Sequence, residues 1–357
     1  MRTQHLLSCL LLCFATNGYC QSLKPFADSI RQVYKIPELG YAVVSGDSVL
    51  ELDVAGVKKW GTEIAAEKND LFRIGSNTKA ITGFVAAMLV KEKTISWSTK
   101  FFDLFPELKA GSRMEYHDVS LLNLLSFRTR LFAYTYTDTT PVKGQFKGSE
   151  DEQLYQFAHW FFKQKPVARN GDIHFSNLGY VAAAPMLEKA SGKTYKRLVA
   201  NLGDQLGIQF RFGQPNTIDT SQPWGHSGDM IPEPPGDNYK LNWLLPAGNI
   251  CVSLPDYVKF IQLQLHGLAG RSELLTKEEF HFLHFGLTRF SVGWFYDTDE
   301  QGHIFSHNTG NPGSFLTSVY VYPDYDRAFV LFSNAQTDAA AGGLDILCKE
   351  MKRRYTK

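Results

Sequence analysis

Ser76 and Lys79 stand three positions apart at the head of a long apolar run, residues 80–90. Residues three apart on a helix share a face, so the Lys79 amine would lie one turn behind the Ser76 hydroxyl. A serine alcohol is a weak nucleophile until a base takes its proton, and a lysine becomes such a base when burial disfavours its charge. The start of a helix adds unpaired backbone N–H groups and the positive end of a dipole, which favour negative charge developing beside Ser76. The chemistry these two residue types imply is acyl transfer through a covalent intermediate on Ser76, with Lys79 as base. Ser-x-x-Lys alone is a weak signal, because serine commonly caps helices and lysine commonly sits solvated on them.

Acyl transfer also needs polar groups that hold the substrate and donors for the oxyanion. Two further stretches can supply them. Phe175-Ser176-Asn177 precedes a helical run, and Asn177 offers a side-chain amide there; its other reading is a turn residue capping that helix. His307-Asn308-Thr309-Gly310 ends an extended run, where His307 is either a site residue or an ordinary strand-end histidine. His226, beside Trp224 in a segment without periodicity, reads as a packed structural residue.

The elements that must position these residues follow from periodicity. A helix is expected over 23–34, then a hairpin over 40–56 around Ser45-Gly46-Asp47-Ser48, then the extended entry Phe72-Arg73-Ile74-Gly75 into the helix of Ser76 and Lys79. An amphipathic stretch over 98–105 ends at Pro106, and a helix from Val119 has Asp118 as its expected cap. Residues 133–148 read as a surface loop rich in Thr, Tyr, Pro and Gly. The helical run 150–163 carries Tyr155, Phe157, Trp160 and Phe161 as a core stripe. Helices are expected over 178–191, stopped by Gly192, and over 198–206, then a long irregular segment over 217–245 of the kind that borders sites, and a capped helix over 253–266. Four strands are expected in the last third, over 291–295, 303–307, 315–322 and 327–334, with Asp324-Tyr325-Asp326 turning between the last two and a closing helix over 339–352. Sequential strands without helices between them argue for an antiparallel sheet, so the fold class is α+β.

Composition narrows the function classes. With 44% hydrophobic residues in 357 positions the chain can bury a large core, and 37 basic against 36 acidic residues, without a run of either sign, give nothing that suits nucleic acid or an anionic membrane surface. Arg2, the short apolar run 6–15 and Gly18-Tyr19-Cys20 before Gln21 read as an export signal over 1–20, too short to span a bilayer. Lipid anchoring at Cys20 is disfavoured because Tyr19 stands where such sites need a small residue. Export implies an exported, periplasmic or extracellular protein. Cys251 and Cys348 then remain, and either one bridge or two buried thiols fits their apolar surroundings. No Cys-x-x-Cys or His-Glu-x-x-His is present, so no metal and no cofactor is expected, and nothing in the sequence sets the oligomeric state.

In order and spacing, Phe72-Arg73-Ile74-Gly75-Ser76, Leu121 to Leu125 with Ser126, Phe175-Ser176-Asn177-Leu178-Gly179-Tyr180, Pro246-Ala247-Gly248, and His307 with Pro312-Gly313 form a series. With it the chain resembles the serine β-lactamase and penicillin-binding-protein superfamily, in the branch of class C β-lactamases, esterases and D-aminopeptidase-like proteins. The resemblance covers nearly all of the chain after residue 20. It implies a β-lactamase/transpeptidase-like fold: a five-stranded antiparallel sheet flanked by helices, drawn from about 21–75 and 285–357, a mainly helical insertion over about 80–245, and a site in the cleft between them. Ser76 would be acylated, Lys79 would take or relay its proton, Asn177 would hold a small ester or amide substrate, and His307 would be the basic residue opening the third motif. The oxyanion would rest on the N–H of Ser76 and of a residue just past His307, Gly310. The sequence departs from this branch at Phe175, where a tyrosine usually joins the lysine in moving protons, and at Thr309, where many relatives have glycine. Lacking that phenol, the chain is expected to favour esters over β-lactams and D-peptides, with Tyr134, Tyr136 and Tyr180 as other phenols in play. The competing reading is a penicillin-recognising binding or sensor protein that keeps the cleft with little or no turnover.

Overall fold

The computed structural model describes residues 22–168, 171–236 and 238–356, so the export-signal segment and Cys20 lie outside the described residues. Six strands, β1 (Glu38–Val44), β2 (Val49–Gly56), β3 (Phe295–Thr298), β4 (Ile304–Gly310), β5 (Leu316–Tyr322) and β6 (Arg327–Ser333), form an antiparallel sheet in the order β2-β1-β6-β5-β4-β3. The fold is the expected β-lactamase/transpeptidase-like one, with one strand more than the five expected. The extra strand exists because residues 295–298 turn back through Gly302 (φ +90°) and pair with β4 as an edge. Ser291 to Trp294, expected to be part of that strand, instead make a tight return in which Ser291 N–H bonds the Trp294 carbonyl.

Both faces of the central strands are covered, which is why β1 and β6 read as continuous apolar runs. Leu39, Tyr41 and Val43, with Phe329 and Leu331, point toward Ala27 and Ile30 of α1 (Lys24–Val33) and Leu344, Leu347 and Met351 of the C-terminal helix Asp338–Tyr355. Ala42 and Val44, with Ala328, Val330 and Phe332, point the other way, into the larger core.

The serine helix α2 (Thr78–Lys91) lies within that larger core. It is apolar on all sides, as a helix surrounded by others must be. It touches α5 (Leu178–Ser191) and α6 (Tyr195–Leu206), and Phe84 packs its ring 6.0 Å from Phe260 of α7 (Leu254–Leu268) and 5.5 Å from Phe280 of α8 (Lys277–Phe285). The remaining helical layer is built from α3 (Leu121–Leu125) and α4 (Glu150–Phe162) packed on α5; the C-terminal helix completes the series as α9. Gly179 lets α5 cross α3 closely, since a Cβ there would meet the Leu124 carbonyl at 2.2 Å. Of the aromatic stripe on α4, Phe157 and Phe161 are buried and Tyr155 and Trp160 pack against the core.

Two local expectations change, and one alternative left open by the sequence is decided. Ser120, not Asp118, caps α3, through a reciprocal box with Asn123, and Asp118 pairs with Lys100. The segment 217–245 carries the two-residue strands His226–Ser227 and Ile231–Pro232 and the helix Tyr239–Trp243. Cys251 and Cys348 are both buried free thiols. His226 is structural: Nδ1 lies 2.8 Å from the Asn334 carbonyl and Nε2 accepts the Trp60 N–H at 3.0 Å.

Candidate active site

Leu71–Arg73 pairs antiparallel with Ile250–Ser253 and delivers the chain to Gly75, whose φ of +50° turns it into the 3-10 turn Gly75–Asn77 and then α2. Asn77 fixes this turn to the sheet by donating to Thr317 Oγ1 at 2.8 Å, and that hydroxyl donates on to the Ile74 carbonyl at 3.0 Å. The geometry places Lys79 Nζ 2.9 Å from Ser76 Oγ and 2.8 Å from the Ala247 carbonyl. Ser76 is half-buried, whereas Lys79 is 1% exposed. Burial pushes the Lys79 amine down to about 7, because the ammonium loses its water without gaining a carboxylate. A neutral amine there donates to Ala247 and keeps its lone pair for the Ser76 proton.

The strand beside Ser76 is β4, whose residues after His307 run past the edge strand β3, and alternation decides which of its side chains face the nucleophile. Asn308 faces it, 2% exposed, with Nδ2 donating to the carbonyls of Ser76 at 3.2 Å and Gly293 at 2.8 Å. Gly310 faces the same way, pressed so closely on the turn that a Cβ would stand 1.9 Å from the Ile74 carbonyl oxygen. His307 therefore faces away, onto the α9 side of the sheet. Its Nε2 lies 3.1 Å from Asp297, its ring stacks near Phe295 and Tyr320, and Lys352 of α9 acts on it electrostatically. Burial lowers the His307 pKa although Asp297 opposes that shift.

The strand also indicates which backbone amides face the open edge beside the nucleophile turn. Thr309 N–H is bonded by the Asn308 side chain at 2.9 Å, so the amides of odd-numbered residues point to the open edge, and Asn311 N–H follows in that direction. Asn311 N is also within 2.6 Å of where a Cβ on Gly75 would stand. At Gly310, the expected donor, the Ile74 carbonyl fills the Cβ direction, and by the same alternation the N–H points toward β5. Asn311, Asn308 and the Ala247 carbonyl are the residues that motif reading missed. The period-two pattern could have found Asn308, since an inward Gly310 requires an inward residue two before it.

Opposite the strand, Phe175 is 48% exposed, with its ring 4.8 Å from Phe127 and its centroid 5.4 Å from Lys79 Nζ. Asn177 does not cap α5 with its side chain; its Nδ2 donates to the Tyr134 carbonyl at 2.8 Å. Among the described residues no phenol hydroxyl bonds to Ser76 or Lys79. Tyr180 comes nearest by its ring, centred 5.5 Å from Lys79 Nζ, but its hydroxyl donates to the Leu125 carbonyl at 2.7 Å. Tyr134 is buried against Phe157, and Tyr136 packs its phenol end beside Gly313. Behind the site, buried Arg73 pairs with Glu233 at 3.2 Å and with Asn249 Oδ1 at 3.3 Å, tying the entry strand to the segment 217–245.

The model of the Beta-lactamase family matches residues 26–347. The unguisins hydrolase ungD of Aspergillus violaceofuscus is 22% identical over 244 residues, covering 64% of this chain and 42% of its own length, so the match spans less than half of that curated relative. Among solved structures, the octameric penicillin-binding protein homologue from Pyrococcus abyssi superposes with a TM-score of 0.70 at 17% identity, covering 88% of this chain and 73% of its own. A class C β-lactamase from Rhodobacter sphaeroides gives a TM-score of 0.71 at 16% identity, covering 92% of this chain and 98% of its own. At these identities the superpositions speak for the fold.

Proposed function

The chain belongs to the Beta-lactamase family of serine hydrolases, and we propose that it cleaves a small ester through an acyl-enzyme on Ser76. The observation that carries this reading is the 2.9 Å approach of Lys79 Nζ to Ser76 Oγ, with the amine held down to about 7 by burial. In its neutral form Lys79 takes the Ser76 proton as Oγ attacks the carbonyl carbon. The negative charge that develops on the carbonyl oxygen faces the N–H groups of Ser76 and Asn311, at the start of a helix. Collapse breaks the bond to the leaving alcohol, to which Lys79 returns the proton, and leaves the acyl group on Ser76. Water then attacks the ester with Lys79 again as base, and the acid departs with Ser76 restored.

Esters are favoured over β-lactams and D-peptides because an amine leaves only after it is protonated, whereas an alkoxide is a far weaker base than an amide anion and depends less on proton delivery. With Phe175 in place of a phenol, Lys79 is the one titratable group in contact with Ser76 among the described residues. Asn177, at the mouth of α5, is assigned to hold the substrate through its amide. Residues 1–20 support export, and the mature N-terminus measured on secreted protein tests that assignment.

A fluorophosphonate probe followed by intact mass tests the central claim. A single adduct on Ser76, lost in Ser76→Ala, is the expected result; no adduct refutes it. A p-nitrophenol burst followed by sustained release marks an enzyme, while a burst with a stable adduct marks a binding protein.

A further inference from the structure

The two walls beside Ser76 differ in kind from what a charged substrate would need. On the strand wall, Asn308 is committed at both ends: its two N–H bonds go to the Ser76 and Gly293 carbonyls, and its Oδ1 accepts the Thr309 N–H at 2.9 Å. It has no spare donor and no charge, and His307 stands on the other face of the sheet. On the opposite wall Phe175 leaves 48% of an apolar side chain in solvent. That ring is not a loose one. It rests on Phe127, which stacks in turn on Phe290 with centroids 4.2 Å apart. Its centroid is 5.4 Å from Lys79 Nζ, which is itself 2.9 Å from Ser76 Oγ, so an acyl chain attached to Ser76 comes within reach of it.

Resting on the reading of Ser76 as nucleophile, we infer that the cleft selects uncharged acyl donors with an apolar acyl chain: Phe175 covers the chain, and Asn308 withholds the counter-charge that a carboxylate-bearing chain would require. Covering the exposed ring removes apolar surface from water on both partners. Bringing an unpaired carboxylate into the same space strips its hydration without replacement.

The test compares p-nitrophenyl hexanoate with p-nitrophenyl hydrogen adipate, which have acyl chains of equal length differing in a terminal carboxylate, and adds p-nitrophenyl acetate. The full chain is used and rates are corrected for spontaneous hydrolysis. Hexanoate is expected to exceed adipate in kcat/KM by at least about tenfold, and Phe175→Ala to shrink the hexanoate-over-acetate preference by about tenfold, mainly through KM. Adipate turned over as well as hexanoate by the wild-type protein, or an intact chain-length preference in Phe175→Ala, overturns the inference while leaving the hydrolase reading in place. Failure of the fluorophosphonate to label Ser76 overturns that reading and this inference with it. The wild-type comparison needs no variant, and Phe175 is exposed enough that its truncation does not open the core.

Discussion

Lys79 Nζ lies 2.9 Å from Ser76 Oγ, and burial holds the amine at about 7. The proton-accepting form therefore dominates only above that pH. Acylation of Ser76 is expected to be half-maximal near pH 7 and to fall about tenfold per unit below it, as for any rate that needs one deprotonated base. Burst rates with a p-nitrophenyl ester from pH 5 to 9 check this, and a flat profile would remove Lys79 as the base.

The same shift has a consequence for stability with a definite sign. The unfolded chain holds its Lys79 proton up to the ordinary value of 10.5, the folded chain only to about 7. Between these values the unfolded state binds more protons, so this residue makes folding more favourable as pH rises and costs most at and below pH 7. Lys79→Met removes a penalty on the order of a few kcal/mol and orphans the Ala247 carbonyl at a cost of about 1–3 kcal/mol. The variant should be inactive yet melt on the order of 2 °C higher than wild type at pH 6, with the gain fading toward pH 10. A gain that grows with pH would contradict the assignment.

Phe175 brings a ring without a hydroxyl to 5.4 Å from Lys79 Nζ. Phe175→Tyr should raise amide cleavage more than ester cleavage, by at least about tenfold in the ratio, since a positioned general acid contributes about 10²–10⁴ where the leaving group must be protonated. Matched p-nitroanilide and p-nitrophenyl substrates measure it. An equal rise in both, or none, defeats the account of ester preference.

What sequence alone made legible was set by local chemistry. Ser76 and Lys79 meet as i and i+3 spacing requires, and Gly192 ends α5 in the left-handed conformation as a helix-stopping glycine does. The third motif was misread because facing in a strand is settled by what the strand packs on, which no local signal contains. The tight fit of Gly310 on Ile74 decides that Asn308 turns inward and His307 outward. The Ala247 carbonyl that holds Lys79 comes from 168 positions away, and main-chain partners carry no residue-type signal at all. The edge strand expected over 291–295 lies at Phe295–Thr298 instead, because a four-residue edge carries too short a pattern to fix its own bounds.

His307 gives a direct check on that facing. It sits among Phe295, Phe305 and Tyr320 with Asp297 as its polar partner, away from Ser76. His307→Gln should keep wild-type acylation kinetics and their pH dependence while lowering the melting temperature through lost ring stacking. Asn308→Ala, by contrast, strands the buried Ser76 and Gly293 carbonyls, costing about 1–3 kcal/mol, and should slow acylation. Loss of acylation in the His307 variant at unchanged stability would restore the histidine to the site.

Gly310 is the position where strand and nucleophile turn come closest. A methyl group there would stand 1.9 Å from the Ile74 carbonyl oxygen and 2.5 Å from Thr317 Oγ1. Backbone rather than a flexible side chain takes the first collision, so β4 must retreat from Ser76 and carry the Asn311 N–H with it. Gly310→Ala is expected to lower stability by about 1–3 kcal/mol through overpacking and to cut acylation by about 10²–10³, the cost of one displaced oxyanion donor. Chemical denaturation and the burst rate read the two effects separately. Because the six-stranded sheet has its own core on the α9 side, the variant should still unfold cooperatively, and wild-type acylation in Gly310→Ala would show that Asn311 N–H takes no part.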